Sequence, residues 1–411
     1  MHTVALNELW TLLVALITIQ VGIAIVVRMP VLGRYSIPPA VVGGVVVAAF
    51  LLVAQQFGWR IEFGTQARGA LLLVFFTTLG LSARLSALRG GGVSVALMSL
   101  ALLLLAVAQN LVGSGVAWAF SEPPALAVFL GSAAFLGGHG TTAAWAGQPL
   151  AAAADNGFEV GMACATLGLV AGGVLGSVVA TRLLARARRG APPKQEPPVI
   201  GEVAVHAVAE HTVFEKWTSS DRWLRQMLVL ATTVALALAW QRWLARQGIT
   251  VPPFLACLLT AVAFTNLADL VKHRVDIETA DLVGTVALRI FLAMSLMSLD
   301  LAAVADAAGM ILSAVVLQCL ATGLIAVTLV RYAAARGSHG AQATRDGAVA
   351  AGGFMGFGMG AMPVGLTVMQ RITLQHGAAP RAFLVVTLAA SLVQDLINAG
   401  VVQAFLSWAA P

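Results

Sequence analysis

A run of glycines and hydroxyl side chains between Phe135 and Trp145 interrupts a long apolar region and has the residue types needed to bind a solute. Glycine disfavours a helix, because it loses much backbone entropy on folding and adds no packing. A broken backbone leaves N–H and C=O groups unpaired, which is costly in lipid unless they are buried in protein or line a polar cavity. We therefore expect a re-entrant hairpin over residues 125–147 whose tip offers backbone groups to a ligand.

A second stretch of the same character, Gly352 to Pro363, lies far downstream and predicts a second hairpin over residues 345–369. Two interrupted apolar segments in matching halves of a chain point to the binding site of a secondary transporter. Helix N-termini at such tips suit a carboxylate, and helix C-termini suit Na⁺. The structural alternative is that these glycines only allow close packing of helices.

Polar side chains near these tips are further candidates. His139 lies inside the first tip, where it is either a ligand or a hydrogen-bonded structural group. Asp395 and Asn398 lie three residues apart on one helix face, with Ser391 one turn earlier. Because an aspartate inside a span is costly, it must be paired or face water. Na⁺ or a substrate ammonium is its functional partner, and an interhelical hydrogen bond is the alternative.

Other polar residues have two interpretations each. Thr166 follows the first hairpin and is a plausible oxygen ligand, whereas Glu159 lies near the end of its span and fits an interfacial position. Arg289 is basic and well inside a span, where it either binds an anionic substrate or snorkels to the surface. Gln109 and Asn110 either line a pathway or bridge helices.

The composition decides the class of protein. Of 411 residues, 59% are hydrophobic and 10% are charged, whereas soluble domains carry about 25% charged residues. The chain is therefore predicted to be an all-α integral membrane protein, and its net charge of +6 does not indicate nucleic acid. Three cysteines in apolar spans show neither a disulfide framework nor metal spacing. No nucleotide loop, metal cluster or catalytic triad is readable, so neither an enzyme nor a cofactor is expected.

Apolar runs of spanning length predict ten transmembrane helices in two repeats. The first repeat, residues 1–184, and the second, residues 223–411, flank a basic linker at 185–222. The spans are 9–27, 37–57, 70–88, 93–119 and 158–183, then 223–244, 251–271, 281–300, 308–330 and 381–408. Pro38-Pro39 and Pro252-Pro253 open the second span of each repeat, and both suit a helix start.

Basic residues orient these spans. With the linker in the cytoplasm, the outer side keeps only Arg60, Arg68, Arg242 and Arg246, as the positive-inside rule requires. This distribution of basic residues between the two sides holds only if neither hairpin crosses the membrane. Each repeat then has an odd number of spans, so the repeats are inverted and both termini lie outside. The first hairpin enters from outside and the second from the cytoplasm.

Nearly the whole chain resembles the glutamate:sodium symporter family. The hairpin matches are Gly137-Gly138-His139-Gly140-Thr141 with Ala143-Ala144-Trp145, and Gly356-Phe357-Gly358-Met359-Gly360-Ala361 with Pro363. Further matches are Glu159-Val160, Met162 to Thr166, Met369-Gln370, Ala382 to Val386, and Asp395 with Asn398-Ala399. Earlier ones are Ile37-Pro38, Val42-Gly43-Gly44, Phe75-Phe76 and Gly80-Leu81.

The resemblance implies Na⁺-coupled symport of glutamate across a bacterial inner membrane, by a homodimer with an elevator-like movement of the hairpins. We expect substrate contacts from Gly138, His139, Gly140, Thr141, Thr142, Gly358, Gly360, Pro363 and Asn398. We expect Na⁺ contacts from Gly137, Thr166, Gly356, Ser391 and Asp395, and no other metal.

Some residues depart from the family pattern. The second hairpin reads Gly360-Ala361-Met362-Pro363-Val364, where the family has threonines on both sides of the proline. Phe354-Met355 replace a histidine-cysteine pair, and Arg289 and Asp300 are charges without a family counterpart. Alternatives are therefore a sodium- or proton-coupled carrier of another small carboxylate, such as citrate or a dicarboxylate, or a membrane sensor that binds a solute without moving it.

Overall fold

A computed structural model describes residues 2–29, 32, 37–84, 92–188, 220–249, 251–271, 275–336, 338–360 and 362–409. The first half contains the helices α1 Glu8–Arg28, α2 Pro39–Gln56, α3 Gln66–Leu81, α4 Gly92–Ala119, α5 Gly138–Ala146 and α6 Gly157–Arg188. The second half contains α7 Ser220–Arg246, α8 Pro253–Leu270, α9 Ile277–Leu296, α10 Leu301–Asp306, α11 Ala308–Ile325, α12 Arg331–Ala335, α13 Gly340–Gly358, α14 Met362–His376, α15 Pro380–Leu392 and α16 Gln394–Ala409.

The structure also contains two short strands and three short helical turns. Strands β1 His2–Ala5 and β2 Trp59–Glu62 pair in parallel. Two 3₁₀ helices, Pro124–Val128 and Pro149–Ala151, flank α5, and a π-helical turn, Ala326–Val330, joins α11 to α12.

The helices confirm an all-helical membrane protein. Within the described residues, 8 helices are long and apolar enough to cross a membrane, and α15 with α16 makes up to 9 if that bent pair is one span. α3 is apolar but shorter. These are the ten regions in which the sequence places its spans, and the number that cross stays a prediction.

Local sequence sets the starts of several helices. Pro39 and Pro253 stand in the first turns of α2 and α8, where a missing N–H costs nothing. Asn7 caps α1 and Asp276 caps α9 through their side chains. The Glu8 carboxylate accepts hydrogen bonds from the N–H groups of Gln66 and Ala67, so α1 also caps α3.

The helices pack into two groups. The scaffold group consists of α1, α2, α3, α7, α8 and α9, in which α3 packs on α8 and α9, and α2 packs on α1 and α9. The hairpin group consists of α4, α5, α6 and α11 to α16, in which α6 packs on α13, and α4 packs on α11 and α16. Fewer contacts join the groups. Helix α9 contacts α5, and the short helix α10, which belongs to neither group, contacts both α6 and α2.

A seam of glycines joins α6 to α13. A Cβ on Gly172 would stand 2.9 Å from the Gly356 carbonyl oxygen, and one on Gly176 would stand 2.6 Å from that of Gly352. One on Gly168 would meet the Met359 carbonyl. Real Cβ atoms are not found so close to backbone, so these glycines let two helices touch main chain to main chain.

The structure differs from the sequence prediction at the last span. Residues 381–408 were expected as one helix, but the chain breaks near Val393 and the axes of α15 and α16 differ by 45°. The span expected at 308–330 continues through the π-helical turn to Ala335. The end of the third span beyond Arg84, and most of the linker at 185–222, lie outside the described residues.

Candidate functional site

The segment of the first predicted hairpin begins without a regular helix. From Pro124 to Gly137 the backbone forms a 3₁₀ helix and a series of tight turns, such as Phe135 N–H to the Gly131 carbonyl at 3.1 Å. Gly138 has φ +70°, a left-handed conformation that a side chain would strain. The chain then enters α5 with Gly137 as its N-cap. The predicted tip is therefore a helix N-terminus whose first N–H groups lack partners in the helix.

The segment of the second predicted hairpin contains α13 and α14, which meet at a break after Gly358. The two tips touch, since a Cβ on Gly138 would stand 2.9 Å from the carbonyl oxygen of Gly360. The start of α5 thus lies beside the end of α13. This juxtaposition sets hydrogen-bond donors at one tip against carbonyl acceptors at the other.

His139 is buried and bound to Thr166. Its Nε2 lies 2.9 Å from Thr166 Oγ1. That hydroxyl is also 2.9 Å from the Met162 carbonyl, to which it donates its only proton. With the threonine proton on the Met162 carbonyl, Thr166 accepts from His139, an arrangement that has the imidazole proton on Nε2 and leaves Nδ1 as an acceptor.

Asn398 is buried without a partner. It is 1% exposed, and among the described residues neither its Oδ1 nor its Nδ2 forms a hydrogen bond. A Cβ on Gly137 would stand 2.5 Å from Asn398 Nδ2, so the amide lies against the first tip. A buried amide without hydrogen bonds is costly, and a ligand bound at the tip would remove that cost.

The neighbours of Asn398 are also polar. Gln394 donates from Nε2 to the Leu136 carbonyl at 2.8 Å, which ties the start of α16 to the first hairpin. Asp395 is half-buried at the same helix start and makes no ion pair within the described part of the chain. Ser391 is exposed, and its hydroxyl donates to the Thr387 carbonyl at 2.8 Å.

Three buried amides brace both hairpins. Gln109 on α4 donates to the Gly358 carbonyl at 2.8 Å, and Asn110 accepts from the Ser132 N–H at 2.8 Å. Gln318 on α11 donates to the Leu130 carbonyl at 2.8 Å and to that of Gln109 at 2.7 Å. Of the two interpretations made from the sequence, bridging between segments therefore fits Gln109 and Asn110.

The remaining candidates divide between the tip and the packing around it. Thr142 donates to the Ala133 carbonyl at 3.2 Å, and Thr141 is buried beside Gly137. Gly140 faces the scaffold side chains of Phe75 and Leu288. Gly356 belongs to the glycine seam.

Two further candidates from the second predicted hairpin, Gly358 and Pro363, lie in different surroundings. Gly358 is buried against Leu105 and Thr322, whereas Pro363 is exposed. Within the described ranges no group of three His, Cys, Asp or Glu could hold a metal ion. The available cation ligands are therefore carbonyls, hydroxyls and the Asp395 carboxylate.

Gln318 and Gln394 were missed by the sequence reasoning. Each is an amide within an apolar stretch of sequence, and that isolation was the only available signal. Their partners are backbone carbonyls of a distant segment, which carry no mark in the sequence.

Comparison with known proteins gives consistent matches. A family model described as Sodium/glutamate symporter matches residues 4–378. The sodium/glutamate symporter of Escherichia coli (strain K12) is 34% identical over 412 residues, covering 98% of this chain and 98% of the relative. That of Haemophilus influenzae (strain ATCC 51907 / DSM 11121 / KW20 / Rd) is 32% identical over 397 residues, covering 96% and 95%.

Proposed function

This chain belongs to the sodium/glutamate symporter family, and from that premise we propose that it carries glutamate together with Na⁺ through the meeting point of its two hairpins. It is a membrane transporter and not an enzyme. The observation that carries the proposal is the buried Asn398 amide, unpaired within the described structure and set against Gly137 where the tips meet.

The substrate is held by the tips. The N-terminus of α5 supplies backbone N–H groups from Gly138, His139 and Gly140, and its partial positive charge favours a carboxylate. Asn398 supplies one donor and one acceptor for an amino acid. Further substrate contacts come from Thr141, Thr142, Gly358, Gly360 and Pro363.

Na⁺ is the transported coupling ion, and the residues around the break near Val393 fit it. The end of α15 leaves carbonyl groups without partners in the helix, and Asp395 supplies a carboxylate one turn away. Carbonyl and carboxylate oxygens are suitable Na⁺ ligands at broken transporter helices. Gly137, Thr166, Gly356 and Ser391 complete the proposed set, although Gly356 has little free space beside Gly172.

An elevator movement of the hairpin group against the scaffold group moves the site across the membrane. Polar ties such as Ser82 to Asp281, and Gln109 to Gly358, each stay within one group. The contact between the groups includes Trp145, whose ring lies 5.2 Å from that of Phe254 at 86°. Apolar contacts of this kind can be exchanged without leaving hydrogen bonds unpaired, which supports sliding.

Inverted repeats explain the packing pattern. α3 packs on α8 while α9 packs on α2, and the third helices of the two repeats, α3 and α9, pack on each other. A pseudo-two-fold axis between α3 and α9 would produce these pairings. Ten spans, re-entrant hairpins, both termini outside, a homodimer and an inner-membrane location complete the proposal.

Uptake by purified protein in proteoliposomes tests the function. We expect labelled glutamate to accumulate when Na⁺ is higher outside, and not with K⁺ or with a proton gradient alone. Accumulation that ignores the Na⁺ gradient would reject Na⁺ coupling. Binding of glutamate without any accumulation would support a sensor.

A carrier of another small carboxylate is the second candidate. Met362 and Val364 stand beside Pro363 where the family has hydroxyls, so the second tip offers fewer hydrogen bonds to a substrate. Competition of labelled glutamate uptake by aspartate, citrate and malate distinguishes the candidates. Stronger competition by citrate or malate than by unlabelled glutamate would favour the second.

A further inference from the structure

Helix α9 carries a stripe of polar residues along one exposed face. Glu278, Asp281, Thr285 and Arg289 are all exposed and recur every three or four residues, so they lie on one helix face. The opposite face is buried against the scaffold group and consists of Ala280, Gly284, Ala287 and Phe291. The hydroxyl of Ser82, which directly follows α3, donates to the Asp281 carboxylate at the edge of the stripe.

Arg289 lies too deep to be an interfacial residue. It stands twelve residues after Ile277, about 18 Å along a helix with about 1.5 Å rise per residue. Side chains on a helix lean towards its N-terminus, so Arg289 points back towards Thr285 and deeper into the span. Exposure of a guanidinium group to lipid at such a depth is costly. The stripe therefore faces water or another protein surface.

The position of Leu288 shows which way the stripe faces. A Cβ on Gly140, at the first hairpin tip, would stand 3.5 Å from a methyl carbon of Leu288. With about 100° between successive residues, Leu288 lies beside Asp281 and Thr285 around the helix. The stripe thus runs along the edge of the α9 face that meets the hairpin group. Arg289 follows Leu288 directly along the helix and lies about 100° from it around the axis.

We propose that this stripe lines a water-filled passage between the scaffold and hairpin groups, in which Arg289 binds a carboxylate of the substrate. The inference rests on the proposed function and deepens it. A guanidinium binds a carboxylate with two parallel hydrogen bonds. The acidic Asp281 and Glu278 lie towards the other end of the stripe, where they attract an ammonium group or Na⁺.

Kinetics test the binding role of Arg289. The variant Arg289→Gln is expected to raise KM for glutamate by about tenfold or more, since it removes the charge-assisted hydrogen bonds to the substrate carboxylate. The maximal rate and the Na⁺ dependence should change much less. Arg289→Lys should fall between, and Arg246→Gln at the exposed end of α7 is the matched control. An unchanged KM in Arg289→Gln overturns the binding role.

Thiol labelling tests the passage itself and does not depend on transport. Thr285→Cys, in a chain with Cys319→Ala, should react with a charged methanethiosulfonate reagent, and glutamate should slow the reaction. Cys164 and Cys257 are buried and should stay silent. Leu320→Cys is the control, because Leu320 on α11 is 67% exposed among apolar neighbours and should face lipid.

The outcomes are separable. Absence of Na⁺-driven glutamate uptake by the wild-type chain rejects the proposed function, whatever the labelling shows. Normal uptake with an unreactive Thr285→Cys rejects the passage alone. A disulfide between two copies through Thr285→Cys places the stripe at a subunit interface and also rejects the passage.

Discussion

The Nε2 nitrogen of His139 lies 2.9 Å from the Thr166 hydroxyl, which links the first hairpin tip to α6. Because Thr166 donates to the Met162 carbonyl, the histidine is held with its proton on Nε2. The ring therefore turns a single acceptor atom, Nδ1, away from Thr166. The link accounts for the presence of one histidine among glycines, whether or not the ring touches substrate.

Two replacements of Thr166 should distinguish the role of its hydroxyl group from the role of its shape. Thr166→Val leaves the buried His139 N–H without its acceptor, at a cost of about 1–3 kcal/mol. We expect a lower melting temperature in detergent and weaker uptake. Thr166→Ser keeps the acceptor and should restore both. Equal losses in the two variants would show that the methyl group, and not the hydrogen bond, matters.

Replacing Asn398 should impair glutamate binding without lowering the stability of the ligand-free protein. Because its amide is buried without partners in the described structure, Asn398→Ala should not lower the melting temperature of the ligand-free protein. It should abolish the stabilisation by glutamate and raise KM by about tenfold or more, the equivalent of about 1.4 kcal/mol. Thermal shift with and without glutamate measures both.

Gln394→Ala is the control for Asn398, since it removes the hydrogen bond to the Leu136 carbonyl and should destabilise the ligand-free protein. A marked loss of ligand-free stability in Asn398→Ala, with glutamate stabilisation intact, would make Asn398 structural.

The glycine seam predicts a strong effect of one added methyl group. Gly172→Ala would bring a Cβ to 2.9 Å from the Gly356 carbonyl, and the helices would have to separate. We expect a loss of about 1–3 kcal/mol, the usual cost of overpacking, measured as a lower melting temperature. Gly115→Ala on α4 meets nothing within 4 Å and should be neutral or stabilising. A neutral Gly172→Ala would mean that the seam is loose.

Asp395 predicts the response to Na⁺. Asp395→Asn removes the only carboxylate in the proposed ion site, so stabilisation by Na⁺ should require a much higher concentration. Glutamate uptake should lose its dependence on the Na⁺ gradient. A titration of the melting temperature with NaCl against choline chloride checks this. If the wild-type Na⁺ response persists in Asp395→Asn, then Asp395 does not belong to the ion site.

Hydrophobic periodicity and the positions of proline and glycine predict most of the helices. Pro39 and Pro253 begin α2 and α8 as expected, since a proline can only stand in the first turn of an uninterrupted helix. The backbone break before α5 was predictable, because Gly138 adopts a left-handed conformation that a residue with a side chain would strain. Both signals are local, so a single sequence contains them.

The break near Val393 was not predictable by the same means. Residues Ser391 to Gln394 contain neither glycine nor proline, and their apolar pattern continues through the break. A distant contact accompanies the bend, the bond from Gln394 to the Leu136 carbonyl. The braces of Gln109 and Gln318 also end on backbone carbonyls, which every residue possesses. Contacts of this kind follow from the fold and not from the local sequence.

The glycine seam also limits which mutations the gene can accept. Every glycine codon is one base change from codons for alanine and valine, and at Gly168, Gly172 and Gly176 either residue would meet backbone on α13. In a saturation mutagenesis screen for growth on glutamate, these three positions should therefore tolerate almost no replacement. Gly115, in an equally apolar helix, should accept many.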